Sequence, residues 1–80
     1  MALHEIVSPL PGTFYRRSSP DAPYYVEAGA PVESGAVVGL VEVMKQFTEI
    51  ETDVAGRVVD ILVDDGEPVD AGQVLMRIEA

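Results

Sequence analysis

The sequence predicts an all-β fold of two similar halves, on three observations: an internal repeat, apolar runs of strand length, and no capped apolar stripe of helical period. Residues Val26 to Glu42 align without a gap on Val63 to Glu79 at an offset of 37. Within that span Val26, Gly29, Pro31, Val32, Gly35, Val37 and Glu42 meet Val63, Gly66, Pro68, Val69, Gly72, Val74 and Glu79. Upstream, Ile6 and Gly12 meet Ile50 and Gly56 at an offset of 44, which exceeds 37 by seven extra residues placed between Gly12 and Val26. A repeat that keeps one register over a whole half predicts two sheets of short antiparallel strands, packed face to face about a pseudo-twofold axis.

Each element can be justified in chain order. Ile6 to Gly12 opens the first half and recurs as Ile50 to Gly56. The excess falls around Arg16 to Pro23, whose two prolines and two serines predict a segment that projects from the sheets and is not one of their strands. Leu40-Val41-Glu42-Val43 and Phe47-Thr48-Glu49-Ile50-Glu51 read as two strands that a tight turn near Met44-Lys45 must join, which makes a hairpin. Arg57 to Val63 and Val74 to Glu79 are Val/Ile/Leu-rich runs of strand length. Asp65-Gly66 and Ala71-Gly72 punctuate them with residues that tolerate positive φ.

Composition limits the function. Eighty residues hold one domain and one small core, expected to span residues 1–80, with little room for an enzyme that closes its own cleft. At 48% hydrophobic and 24% charged the chain is globular, and with 6% aromatic residues and no Trp its core must be built mostly from Val, Ile, Leu and Ala. A net charge of −9 makes nucleic acid and anionic membrane poor partners. No cysteine is present, no basic n-region precedes a long apolar stretch, and the run Ala36 to Val41 stops at Glu42, short of the ~20 residues of a membrane helix. The expected compartment is the cytoplasm.

Lys45 is the only lysine and falls at the seam between the two repeats. A lone lysine on a loop is ordinarily one solvated cation. On a tight exposed turn at the centre of an internal symmetry, it is also where a modifying enzyme would find an ε-amine held clear of the sheets.

Glu42-Val43-Met44-Lys45-Gln46 resembles the Glu-Ala-Met-Lys-Met motif of biotinyl domains, and Ser8-Pro9-Leu10-Pro11-Gly12-Thr13-Phe14-Tyr15-Arg16 resembles the Ser-Pro-Met-Val-Gly-Thr-Phe-Tyr-Arg segment of bacterial biotin carboxyl carrier proteins. Ser19-Pro20-Asp21-Ala22 and Val26-Glu27-Ala28-Gly29 continue the match, so the resemblance runs from about Ile6 to Glu79. It implies a flattened barrel of two four-stranded sheets, with covalent biotin on Lys45. Glu42, Val43, Met44 and Gln46 would then be read by biotin protein ligase. The chain would be a non-catalytic carrier that shuttles activated CO2 from a biotin carboxylase to a carboxyltransferase, as in acetyl-CoA carboxylase. The excess around Arg16 to Pro23 matches in place an insertion called the thumb.

Two positions depart from the pattern. Gln46 stands where the family usually has Met, which leaves ligase recognition resting on Met44, and Arg17-Ser18 replaces a common Thr-Pro. Lipoyl domains usually carry Asp before the lysine and Ala after it, and neither is here. A lipoyl carrier and an unmodified β-barrel interaction module are the alternatives. Elsewhere, Asp64-Asp65-Gly66-Glu67 reads as a solvated turn and not a calcium loop, and His4 as a lone side chain near a fraying end. Arg16-Arg17 reads either as a docking patch or as a solvated pair.

Overall fold

The computed structural model describes residues 2–80 and contains eight β-strands and, among those residues, no helix. They are β1 (Leu3–Val7), β2 (Gly12–Tyr15), β3 (Pro31–Val32), β4 (Val37–Val43), β5 (Gln46–Glu51), β6 (Gly56–Ile61), β7 (Glu67–Val69) and β8 (Val74–Glu79). One four-stranded sheet has the order β1-β8-β6-β3 and the other β5-β4-β2-β7, every pairing antiparallel. Moving each label by four converts one order into the other, so the sequence repeat is a repeat of topology. The segment between Tyr15 and Pro31 contributes no strand, as its prolines predicted.

The twofold relation extends to single bonds. Ser8 Oγ donates to Leu10 O at 2.6 Å, and its equivalent Thr52 Oγ1 donates to Val54 O at 2.8 Å. These buried hydroxyls stay satisfied within their own turns, so burying them costs little. Ser8 O accepts from Gly72 N–H at 2.7 Å, and Thr52 O accepts from Gly35 N–H at the same distance. Four repeat-matched turn glycines have positive φ, Gly29 at 91°, Gly35 at 90°, Gly66 at 86° and Gly72 at 83°. A Cβ is penalised there, which is why these positions recur as glycine.

The core is likewise paired. Ile6 with Ile50, Val26 with Val63, Val32 with Val69, Val38 with Leu75 and Val41 with Ile78 are buried equivalents in one cluster. One quartet breaks the match and conserves volume instead. Phe14 stands where the second half has Val58, and Gly39 where it has Met76. A Cβ on Gly39 would lie 2.5 Å from Phe14 Cε1, so the ring occupies the space its neighbour gives up.

On sheet β1-β8-β6-β3, Arg77 Nε donates to Asp60 Oδ1 at 2.9 Å and its Nη2 donates to Oδ2, a bidentate pair across two strands. The hydrogen bond from Arg77 lowers the Asp60 pKa below the ordinary aspartate value. A lowered folded-state pKa means that the pair stabilises the fold above the unfolded value of about 3.9, and that this contribution is lost as pH falls through the folded pKa. Asp60→Asn should therefore lower Tm near neutrality. That difference from the parent should shrink as thermal unfolding is followed down below about pH 4.

Two minor expectations fall differently. His4 is not at a fraying end: it pairs with Ile78 in β1, Ala2 and Ala80 exchange backbone hydrogen bonds, and His4 Nε2 lies 2.8 Å from Asp53 Oδ1. Arg16 and Arg17 are not simply a solvated pair, because both guanidinium groups stack on Tyr24.

Candidate functional site

The β4–β5 hairpin is the longest pairing in the molecule and ends in a two-residue turn. Its last pair is Val43 with Gln46, leaving Met44 and Lys45 as the central residues with φ of 50° and 67°. Positive φ at both defines a type I′ turn, whose twist matches that of the strands and which ordinarily selects Asn-Gly. These are the only non-glycine residues at positive φ among the described residues. Each stands to cost of order 1 kcal/mol relative to a glycine or asparagine there. A strained pair retained at an exposed tip points to a use for the side chains and not for the turn.

Packing around the strands keeps that tip fixed. Val43 packs inward against the core, while Met44 is 90% exposed and Lys45 is exposed beside it. Glu42 faces the other way, its Oε1 accepting from Tyr15 Oη at 3.3 Å. Burial and the negative charge of Glu42 raise the Tyr15 pKa above the ordinary phenol value, so Tyr15 stays protonated as the donor. The Tyr15 ring lies 6.3 Å from that of Phe47, tilted by 48°, which braces the returning strand. None of the ion pairs among the described residues involves Lys45.

The five positions singled out in the sequence are thus one structure with two kinds of member. Met44, Lys45 and Gln46 are presented at the tip, whereas Glu42 and Val43 hold its base to β2 and the core. Tyr15 and Phe47 belong to the same site but stand outside the five-residue motif. Phe47 follows the motif directly in the chain, and the cross-strand register brings Tyr15 to it. A chain with Met44→Asn and Lys45→Gly should gain about 1–2 kcal/mol in denaturant unfolding while losing the acceptor amine. A loss of stability would mean that the present turn is not strained.

The Asp64–Glu67 segment is the turn expected of it. Asp64 N–H donates to Glu67 Oε1 at 2.9 Å, and Asp65 bonds to the 16–25 segment. No cluster of three or more His, Cys, Asp or Glu side chains among the described residues is arranged to hold a metal ion. None of these residues forms a helix long and apolar enough to cross a membrane.

Two four-strand halves about a twofold, with the sole lysine at the tip of one central hairpin, define the class of this domain. The biotin/lipoyl family model, described as biotin-requiring enzyme, matches residues 4–78, and the chain belongs to that family. Among curated relatives, the biotin carboxyl carrier protein of acetyl-CoA carboxylase from Nostoc sp. is 48% identical over 77 residues, covering 96% of this chain and 42% of that protein. The protein of the same name from Chlamydia trachomatis is 47% identical over 73 residues, covering 91% of this chain and 44% of its own length. The chain spans less than half the length of these relatives. Among solved structures, Kluyveromyces lactis urea carboxylase matches with a TM-score of 0.79 and 25% identity, covering 99% of this chain and 6% of that one.

Proposed function

We propose that residues 1–80 form a single biotinyl domain with a thumb-like insertion at 16–23, and that it works as a biotin carboxyl carrier. Lys45 is the attachment residue. The observation that carries the reading is the presentation of the sole lysine, exposed and in no ion pair among the described residues, on a strained type I′ turn of a braced hairpin. The names of the curated relatives support biotin over lipoate and an acetyl-CoA carboxylase over other carboxylases.

The residues present fit the group. Acylation needs an unencumbered primary amine, and Lys45 supplies the one such side chain. When bound, biotin supplies the ureido nitrogen that accepts and releases the carboxyl group. The protein's part is presentation. The hairpin holds the amine at a fixed distance from the barrel, and acylation by biotin protein ligase removes the ammonium charge, so the tip enters a partner's pocket without desolvating an ion. Tethering raises the effective concentration at each partner to the order of mM. The partners are biotin carboxylase and a carboxyltransferase, in the cytoplasm, and the carrier itself performs no catalytic step.

The test is carboxylation by the assembled system. Ligase-treated chain, mixed with biotin carboxylase, ATP and radiolabelled bicarbonate, should take up label that passes to an acyl-CoA when the carboxyltransferase is added. Met44→Ala should keep the acceptor but slow ligation by about tenfold, the equivalent of one well-made contact. Ligation of this variant at the parental rate would remove Met44 from the recognition set.

A further inference from the structure

The internal repeat provides its own control for one carboxylate. Asp65 lies in the turn after β6, and its equivalent at the offset of 37 is Ala28. The two turns are built alike: Gly66 N–H donates to Phe14 O and Gly29 N–H donates to Val58 O, both at 2.7 Å, and the two glycines share a positive φ. Since alanine makes the same turn in the first half, the turn itself needs no carboxylate.

What differs is the neighbouring chain. Beside Ala28 runs the unbroken strand β6, whereas beside Asp65 the chain leaves β2 and enters the insertion. Asp65 Oδ1 accepts from Arg16 N–H at 2.7 Å, and Oδ2 lies 3.5 Å from Arg17 Nε. Both guanidinium groups stack on Tyr24, at 4.0 Å for Arg16 and 5.3 Å for Arg17. Tyr25 N–H donates to Arg16 O at 2.7 Å and closes the neck of the loop. Charge-assisted bonds of this kind outweigh neutral ones, and the Asp65 side chain is only 20% exposed, so water screens them little.

This order is not needed by the barrel. No residue from 16 to 25 belongs to the buried core, and the second half builds the equivalent sheet without an insertion. The segment instead forms one wall of a cleft of about 260 Å³, with Arg17, Ser18, Ser19 and Pro20 facing Tyr15 and Phe47. Phe47 is two residues from Lys45.

We infer that Asp65 is a positioning residue, whose carboxylate holds residues 16–25 as a fixed lobe beside the Lys45 hairpin and so sets how the loaded tip is offered to its carboxylating partner. The inference rests on the carrier reading above for its functional half only. Modification of Lys45 does not depend on the lobe, because β4 and β5 pair with each other and the side-chain hydrogen bond and ion pair of Asp65 go to Arg16 and Arg17 and not to the hairpin.

The experiment pairs hydrogen exchange with kinetics on Asp65→Ala, which copies Ala28, with Ala28→Asp as the control. In Asp65→Ala the Arg16 and Tyr25 amides should exchange about tenfold faster or more, with the Phe14 and Val41 amides still protected, showing local release of an intact fold. Ligase should biotinylate the variant within about twofold of the parental rate, while its kcat/KM as a substrate of biotin carboxylase should fall about tenfold, the scale of a misplaced group. Asp65→Glu, which keeps the charge, should recover part of that loss, and Ala28→Asp should change neither quantity. Unchanged exchange at Arg16 and Tyr25 would overturn the anchor. Faster exchange with unchanged carboxylation kinetics would overturn the positioning role. If the parent chain accepts no biotin, the carrier reading fails instead, and the exchange result still decides the anchor.

Discussion

Lys45→Arg should unfold like the parent and accept no biotin. Arginine keeps the positive charge and approximate bulk at an exposed turn position, so the stability change should stay within about 0.5 kcal/mol. The guanidinium is not a nucleophile at neutral pH and has a different shape, so ligase finds no acceptor. No second lysine can substitute, since the chain has one. Denaturant unfolding, intact mass after ligase treatment and carboxylation with partner subunits read the three parts separately. Biotin incorporated into the variant, or carboxylation supported by it, would remove Lys45 from the centre of the mechanism.

The largest effect on stability should come from a glycine remote from the tip. Gly12 and Gly56 are repeat equivalents, and each backs onto a repeat-equivalent glutamate backbone, Glu42 and Glu79. A Cβ on Gly56 would overlap the Glu79 carbonyl oxygen and lie 2.9 Å from its carbon and 3.0 Å from Ile78 Cγ2. A Cβ on Gly12 would overlap Glu42 O and lie 2.8 Å from Val41 Cγ1 and 2.9 Å from Val43 Cγ2. Backbone cannot rotate away as a side-chain end can, so strands β6 and β8 would have to part. Gly56→Ala should cost about 3 kcal/mol, a fall in Tm of roughly 12–24 °C for a domain of this size.

A second glycine separates overlap from backbone strain. Gly66 has φ of 86° with nothing within 4 Å of its would-be Cβ, so Gly66→Ala should cost only about 1–2 kcal/mol. Chemical denaturation of the two variants should rank them in that order. A Gly56→Ala protein as stable as Gly66→Ala would show that the sheet gives way locally and that the overlap is not what keeps glycine there.

These two glycine classes also mark how far the sequence could be read. The turn glycines, the paired valines and the hairpin about Lys45 were legible because they depend on short-range rules: period two, positive φ, and a register held through a whole half. The identity of Gly12 and Gly56 was visible as a match, but its reason was not, since the overlap with Glu42 and Glu79 exists only when the strands are side by side. The exchange of Phe14 and Gly39 for Val58 and Met76 was hidden for the same reason: volume is conserved between strands, not along them. Least legible was the fixed insertion. Asp65 and Arg16 are 49 residues apart and follow no period, so Arg16-Arg17 read as a surface pair and Asp65 as part of a solvated turn.

The site divides along the same line. Met44, Lys45 and Gln46 announce themselves by motif and by the centre of the repeat. Tyr15 could be placed beside them, and against Phe47, only through the register that sets Thr13 opposite Glu42 and Glu42 opposite Phe47. The strain in the turn was equally invisible, because nothing in Met44-Lys45 as residue types requires positive φ.

The most direct test of the central claim is intact and peptide-level mass spectrometry of the unmodified chain after parallel incubation with biotin protein ligase, biotin and ATP, and with lipoate ligase, lipoate and ATP. The expected result is one biotinyl group per chain, on the peptide containing Lys45, and no lipoyl group. A lipoyl adduct at Lys45 in place of biotin, or no adduct under conditions that modify a known acceptor domain, would contradict the account.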